Sequence, residues 1–387
     1  MNEKKQIIIV SFKKSDWILI GMSWLFVQII FLIVKGINNH EEAGTYISLA
    51  NHWTQGERNF HLHNIFYSGY VSIYVLLRWL GLPDTSMYGM QLVLSALSTY
   101  YFVMIVRLFI HSRYVIVISG ILYATCYIIQ QWVSVLFTDS IFCSLLVISV
   151  YFLLTLEESK KNKRIFWILF LILPFFRPVG FLFILVACSH WIMTSLRKNK
   201  RKILFSLLYL AISGIAVYKS FTSESYFFPI HSLHNILGNV ICGYPGDYGK
   251  YARVPYKEGM SVFSFLYQNP EMTVRLFLSR FYKVFSMSRS YFSPDHNRLL
   301  NVSTIIYYFL AIVGIVFVVR HKVSALYFLI SGILIFSLPM VIFCVEWTGR
   351  FSLPVISFVL IFSSIGIDRV SRYPSFLIPA QDDGVRP

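Results

Sequence analysis

Two adjacent carboxylates, Glu41 and Glu42, follow the first apolar run of this chain within the segment 38–46 (NNHEEAGTY). Carboxylates at the end of an apolar run can act as a general base or ligate a divalent cation such as Mg²⁺ or Mn²⁺. They can equally be the solvated start of a loop. The spacing does not separate these interpretations, and it does not say which glutamate would be the base.

Three further charged groups lie at the ends of later apolar runs. Asp139 begins one run, where aspartate is also a common helix N-cap. Arg177 lies between two prolines in the segment 174–180 (PFFRPVG). A charge at membrane depth faces a cavity or an anionic partner unless it reaches the headgroups. Arg350 follows Glu346 before the last run, and it can either grip a phosphate or form a simple surface pair with that glutamate.

Together these groups match the needs of a transferase whose donor is a sugar on a lipid phosphate. Arg177 and Arg350 would hold the phosphate, and Glu41 or Glu42 would deprotonate the incoming hydroxyl. Four other residues are expected to support the site or contact the substrate: Tyr46, Asp139, Asp247 and Glu346. The histidines show no metal-ligand spacing, so no cofactor is required by the pattern. A divalent cation held by Glu41, Glu42 and Asp139 stays open.

The composition indicates that membrane helices position these residues. The chain has 387 residues, of which 56% are hydrophobic and only 13% are charged. Soluble domains contain about 25% charged residues, so this chain has more apolar surface than one aqueous core can hide. The net charge of +16 comes from short basic clusters between apolar runs, such as 160–164 and 197–202. Such clusters are typical of cytoplasmic loops, so we do not expect nucleic-acid binding.

The fold class predicted from hydropathy is an all-α polytopic membrane protein, forming a single transmembrane domain over residues 1–387. A bilayer core about 30 Å thick needs roughly 20 helical residues. About ten transmembrane helices are predicted, two of them a short pair broken at Arg177-Pro178, since proline interrupts the helical hydrogen bonds. The predicted spans are 17–34, 86–109, 115–131, 138–156, the pair within 165–196, 203–219, 302–319, 323–344 and 350–368.

Alternation of the basic loops predicts the sidedness of the candidate residues. If the N-terminus is cytoplasmic, the basic connections are all cytoplasmic only when the segment 66–82 does not cross the membrane. We therefore expect this segment to be lateral or re-entrant within a first outer loop, 36–82. The loop 220–301 then lies outside, and 274–285 reads as an amphipathic helix on the membrane, with Arg275, Arg280 and Lys283 off its apolar stripe. Both termini are expected in the cytoplasm and the candidate site on the outer face of the plasma membrane.

The order of these features resembles the GT-C superfamily of membrane glycosyltransferases, which includes protein O-mannosyltransferases and aminoarabinose transferases. The resemblance extends over about residues 15–370. It implies inverting transfer from a polyprenyl-phosphate sugar, sometimes with a divalent metal. The family's first-loop acid is typically Asp, and this chain has glutamates there. Four segments carry the resemblance: Glu42–Tyr46 followed by Ala50 and Gly56, Asp139-Ser140-Ile141-Phe142, Arg177-Pro178-Val179-Gly180 and Arg350-Phe351-Ser352-Leu353-Pro354.

The expected function is therefore transfer of a sugar from a polyprenyl-phosphate donor, whose lipid tail lies between helices, to an extracytoplasmic glycan, lipid or protein. Membrane lipid is the other expected partner. Two alternatives stay open. An oligosaccharide repeat-unit polymerase would not need first-loop carboxylates. A lipid-linked sugar flippase or transporter is expected to have polar residues spread through its spans, whereas the ionisable residues here lie mostly at the outer ends of the spans.

Overall fold

The computed structural model describes residues 12–39, 42–57, 62–195, 262–289, 292–342 and 349–372. These residues form helices and no β-strand, apart from one isolated parallel bridge between Asn38 and Val135. The helices are α1 (Lys14–Lys35), α2 (Glu42–Thr54), α3 (Leu62–Ile65), α4 (Ser68–Trp79), α5 (Ser86–Arg107), α6 (Arg113–Ala124), α7 (Tyr127–Gln130), α8 (Thr138–Leu154), α9 (Lys160–Ile172), α10 (Gly180–Ser195), α11 (Val262–Gln268), α12 (Pro270–Phe285), α13 (Pro294–Arg320), α14 (Tyr327–Ile342) and α15 (Leu353–Arg372).

Four helical segments are long and apolar enough to cross a membrane: Lys14–Lys35, Ser86–Arg107, Pro294–Arg320 and Arg350–Arg372. Shorter apolar helices occupy Arg113–Ala124, Thr138–Leu154, Gly180–Ile192 and Tyr327–Val341. The all-helical prediction is confirmed for the described residues. Ten spans stay a prediction, and the predicted span 203–219 lies outside the described residues.

The distribution of exposed apolar side chains is that of a protein surrounded by lipid. Helices α1 and α13 expose large aliphatic residues such as Ile33 (77% exposed) and Ile305 (66%). In water each such side chain would forgo about 1.5–3 kcal/mol of burial free energy, whereas in hydrocarbon that loss disappears. Helices α8 and α15 are instead buried along almost their whole length. The core of the bundle therefore lies around α8 and α15, with α1 and α13 at its edge.

Helices α13 and α15 pack at backbone distance because small residues face each other. A Cβ atom at Gly314 would overlap the carbonyl group of Phe362, and one at Gly366 would overlap that of Leu310. The Ser363 hydroxyl donates to the Tyr307 carbonyl at 2.7 Å. Small residues and serine hydroxyls of this kind associate helices in lipid, where no hydrophobic force acts between them. This crossing fixes α15, which begins beside Arg350.

Contacts between helix termini define two ends of the bundle. At one end Arg113 and Asp16 form an ion pair at 2.6 Å, so α6 and α1 begin together. At the other end the Asn38 backbone amide donates to the Ser134 carbonyl at 2.9 Å, and Asn38 O accepts from Leu136 N at 2.8 Å. We call this second end, where α1 terminates and α8 begins, the upper end. The first outer loop of the prediction therefore lies against the segment that leads into α8.

The predicted break in the segment 165–196 is present. Helix α9 ends at Ile172, a 3-10 turn covers Leu173–Phe175, and α10 begins at Gly180. A Cβ at Gly180 would lie 2.6 Å from the Leu173 carbonyl oxygen, so the turn closes only around glycine. The Gly180 amide donates to the Arg177 carbonyl at 2.9 Å, which holds the turn together. Arg177 is thus carried on a rigid interruption between two helices.

The segment 66–82 forms α4, whose 12 residues span only about 18 Å and therefore less than a bilayer core. It packs on α2 and reaches the helix break, where Gly69 lies against the Phe176 ring. A lateral or re-entrant placement of α4 stays the prediction that this length favours.

One predicted span is wrong. The span predicted as 115–131 is interrupted, since α6 ends at Ala124, and the Gln130 side chain donates to the Tyr123 carbonyl at 3.1 Å. Arg280 lies off the exposed apolar stripe of α12, as its spacing predicts, but not in solvent. It is fully buried, and its guanidinium donates to the Val341 carbonyl at 3.4 Å, at the end of α14. Helix α12 does expose apolar side chains, including Phe281.

Candidate functional site

Asp139 and Arg177 form a buried ion pair at the upper end. Asp139 is 1% exposed and Arg177 is 6% exposed. Helix α8 begins at Thr138 with Phe137 as its N-cap residue, and no side chain caps it. The interpretation of Asp139 as a helix cap is therefore wrong. Its carboxylate instead compensates the positive charge of Arg177, which lies in the break between α9 and α10, because a buried arginine needs an opposite charge.

Arg350 forms a second ion pair, with Glu42 at the start of α2. Gly349 precedes it with φ +79°, a left-handed conformation that favours glycine, and turns the chain into α15. Arg350 Nη1 also lies 4.0 Å from Asp139 Oδ2. Arg177 from the helix break and Arg350 from the start of the last helix therefore both lie near the Asp139 carboxylate, and Arg350 links them to Glu42 in the first loop. Glu346, the alternative partner of Arg350, lies outside the described residues.

The Phe351 ring holds the two arginines side by side. The Arg177 guanidinium lies 4.8 Å from the ring centroid, and that of Arg350 lies 5.1 Å from it. Arg350 is also 5.4 Å from the Phe137 ring. Cation–π contacts favour both positive charges at these distances, and the flat guanidinium faces leave the N–H edges available for hydrogen bonds. The arrangement presents two forked donors to one volume.

Tyr46 orients the Glu42 carboxylate from the opposite side. Its hydroxyl donates to Glu42 Oε2 at 3.3 Å, one helical turn along α2. Burial raises the pKa of Tyr46, so the hydroxyl keeps the proton that it donates. Burial alone also raises the pKa of Glu42, but the hydrogen bond from Arg350 and the charges of Arg350 and Arg177 lower it more. The pKa of Glu42 therefore lies below the ordinary 4.5, and the group is a carboxylate at neutral pH.

Three polar residues of this cluster line a cavity whose other walls are apolar. Asp139, Arg177 and Arg350 face it, and its volume is about 160 Å³. A water molecule occupies about 30 Å³ of liquid, so the space is large enough for a phosphate group and adjoining atoms. The apolar lining comes from α8, α14, α15 and the turns before α10 and α15: Phe142, Val179, Phe336, Pro339, Met340, Phe351, Leu353 and Pro354.

Gln91 positions the segment that leads to Asp139, and the sequence analysis did not single it out. Its amide nitrogen donates to the carbonyls of Val133 at 2.9 Å and Val135 at 2.8 Å, while its oxygen accepts from Tyr70 at 3.0 Å. This satisfies carbonyl groups that would otherwise be unpaired in the irregular stretch before α8. The available signal was a glutamine in the middle of the apolar run 86–109.

Tyr67 is a second residue that the sequence did not indicate. Its ring lies 5.4 Å from that of Tyr46, at the start of α4. Burial raises the pKa of Tyr67, and the charges of Arg177, Glu42 and Arg350 all act on its hydroxyl. It therefore lies close enough to the cluster for all three charged groups to act on its hydroxyl.

The structure thus brings together five of the predicted site residues: Glu42, Tyr46, Asp139, Arg177 and Arg350. Glu41, Asp247 and Glu346 lie outside the described residues. The described part of the chain contains no group of three or more His, Cys, Asp or Glu side chains that could hold a metal ion. Glu42 and Asp139 are each paired with an arginine, and a metal held with Glu41 stays untested.

Comparison of the chain with protein-family models, curated proteins and solved structures finds no match.

Proposed function

We propose that this protein is an integral membrane glycosyltransferase. It moves a sugar, with inversion, from a polyprenyl-phosphate donor to a hydroxyl group of an extracytoplasmic glycan, lipid or protein. The observation that carries the proposal is that two arginines from distant parts of the chain, each paired with a carboxylate, line one cavity with apolar walls. The resemblance to the GT-C superfamily supports the same conclusion.

The donor phosphate would lie between Arg177 and Arg350. Their guanidinium groups can offer forked, charge-assisted hydrogen bonds to phosphate oxygens, which are stronger than neutral ones. The apolar lining from Phe336, Pro339 and Met340 suits the first isoprene units of a polyprenyl chain. A phosphate held this way keeps its negative charge compensated when it becomes the leaving group.

Glu42 is the base in this mechanism, and Glu41 is the alternative. The carboxylate takes the proton of the acceptor hydroxyl while the oxygen attacks the anomeric carbon from the face opposite the phosphate. The bond between that carbon and the phosphate oxygen breaks, and its electron pair stays on the lipid phosphate at the arginines. Tyr46 holds the carboxylate, and Asp139 fixes Arg177 in place. No step requires a cofactor or a metal ion.

The protein would lie in the plasma membrane with both termini in the cytoplasm. The upper end of the bundle then faces outward, and the acceptor approaches Glu42, whose side chain is 42% exposed. Such an enzyme would serve the assembly of cell-envelope polysaccharide or lipid.

The test is transfer of labelled sugar from a panel of polyprenyl-phosphate donors by the purified protein. Wild type is compared with Glu42→Gln, Glu41→Gln and Arg350→Ala, and Glu57→Gln is the matched control because Glu57 lies in the same loop, paired with exposed His52. We expect Glu42→Gln and Arg350→Ala to reduce turnover at least about 100-fold, the usual scale for loss of a general base or a charge-stabilising donor. Glu57→Gln should retain wild-type turnover.

Each outcome separates the candidate functions. Full activity in both glutamate variants would refute the base assignment and favour a polymerase. Retained turnover of Arg350→Ala at saturating donor would refute the phosphate assignment. Failure of wild type with every donor, combined with movement of a lipid-linked sugar across vesicles, would replace the enzyme by a flippase.

A further inference from the structure

Both arginines that would bind the donor phosphate already face a carboxylate. Arg177 pairs with Asp139, and the Nη2 group of Arg350 donates to Glu42. The other terminal nitrogen of Arg350 lies 4.0 Å from Asp139. A phosphate that enters the cavity meets the Asp139 carboxylate in its wall and must compete with the Glu42 carboxylate for Arg350, so both carboxylates oppose its binding. Binding becomes favourable only when one carboxylate gives way.

The two carboxylates differ in their freedom to move away. Asp139 is 1% exposed and sits in the first turn of a buried helix, so it has no solvent to enter. Removing its partner would leave a buried charge uncompensated, which costs several kcal/mol. The Glu42 side chain is 42% exposed on α2, and the Tyr46 hydroxyl still holds its other oxygen. Glu42 is therefore the group that can leave Arg350 at low cost.

We propose that Arg350 exchanges partners: it holds Glu42 in the donor-free protein and releases it when the donor phosphate binds. This inference rests on the proposed function. The Phe351 ring keeps Arg350 beside Arg177 through the exchange, so only the Glu42 side chain has to move. A carboxylate bonded to Arg350 is a poor base, whereas the released carboxylate can accept a proton. The donor must then bind before the acceptor hydroxyl can be activated.

Removal of the competing carboxylate should therefore strengthen phosphate binding, although it abolishes transfer. A partly exposed ion pair contributes up to about 1 kcal/mol, which corresponds to about a fivefold change in affinity. We expect Glu42→Gln to bind decaprenyl phosphate about fivefold more tightly than wild type. Glu42→Asp, with a shorter side chain that reaches Arg350 less well, should lie between them.

The experiment measures binding of decaprenyl phosphate, without a sugar, to purified protein in detergent micelles. Glu57→Gln is the control for loss of a first-loop carboxylate and should bind as wild type does. In the Arg350→Ala background, binding should be weaker, and Glu42→Gln should no longer strengthen it, because the competition acts through Arg350. Thermal unfolding of each variant identifies any that are misfolded. If Glu42→Gln is misfolded, Glu42→Asp replaces it in the comparison.

The outcomes separate this inference from the proposed function. If wild type binds decaprenyl phosphate through Arg350 and removal of the Glu42 carboxylate leaves the affinity unchanged or lower, the exchange is wrong and the donor site stands. An equal gain in the presence and absence of Arg350 also refutes the exchange. If wild type does not bind decaprenyl phosphate, both the donor site and the exchange are wrong.

Discussion

The buried pair between Asp139 and Arg177 gives the sharpest prediction about stability. Asp139→Asn leaves the Arg177 guanidinium, which is 6% exposed, with no carboxylate at contact distance among the residues that the structure describes. Removal of one member of a buried ion pair costs about 3–5 kcal/mol, because the remaining charge stays desolvated. Arg350 Nη1, 4.0 Å from the same carboxylate, loses part of its compensation as well. We expect Asp139→Asn and Arg177→Gln each to reduce the free energy of unfolding by about that amount.

The double variant should cost much less than the sum, since it removes both charges together. We expect a coupling free energy of about 2–3 kcal/mol in the double-mutant cycle. Unfolding in mixed micelles at increasing denaturing-detergent content, followed by tryptophan fluorescence, measures each variant. The matched control is the more exposed Arg78–Asp84 pair, in which Arg78 Nη2 lies 3.1 Å from Asp84 Oδ1. Its cycle, with Arg78→Gln and Asp84→Asn, should give less than about 1 kcal/mol.

Additive losses within about 0.5 kcal/mol for Asp139 and Arg177 would refute the reasoning, because independent sites behave that way. So would a control cycle with a coupling as large as that of the buried pair. In that case burial would not be the source of the strength.

Two further predictions concern the base and the packing of α13 on α15. The pKa of Glu42 lies below 4.5, because Arg350 and Arg177 lower it more than burial raises it. The value of kcat/KM for the donor should therefore fall only as the pH drops below 4.5. A midpoint of this fall above about pH 6 would contradict Glu42 as the base. Gly366→Ala should reduce the unfolding free energy by about 1–3 kcal/mol, because its Cβ overlaps the Leu310 carbonyl. Gly21→Ala on α1, where nothing lies within 4 Å, should be harmless, and equal losses in the two variants would refute this account.

Features that depend on neighbouring residues could be predicted from the sequence. The helical character of the chain follows from runs of apolar residues, and the interruption around Arg177 follows from Pro174, Pro178 and Gly180, which act through their own backbone geometry. Hydropathy also gave the positions of the charged groups relative to the helix ends. It placed Asp139 and Arg350 at helix starts, where the structure has them, whereas Glu42 was placed in a loop and begins α2 instead.

The ion-pair partner of each charged residue could not be predicted, because contacts between residues far apart in sequence leave no local pattern. The sequence offered Arg350 either a phosphate or Glu346, four positions away, and gave no sign of the pair with Glu42, 308 positions away. Asp139 was assigned to its own helix terminus and instead compensates Arg177. Arg280 was placed on the polar side of α12 by helical periodicity, yet α14 covers that side and buries it.

The sequence by itself determined which residues are polar, where each lies along its helix and which segments cannot stay helical, since these follow from side-chain chemistry and local backbone sterics. The tertiary structure alone decided that Asp139, Arg177 and Arg350 line one cavity, that Glu42 pairs with Arg350, and which charge compensates which. The physical reason is that a buried charge is stable only beside an opposite charge, and the packing of α2, α8, α10 and α15 determines which opposite charge is within reach.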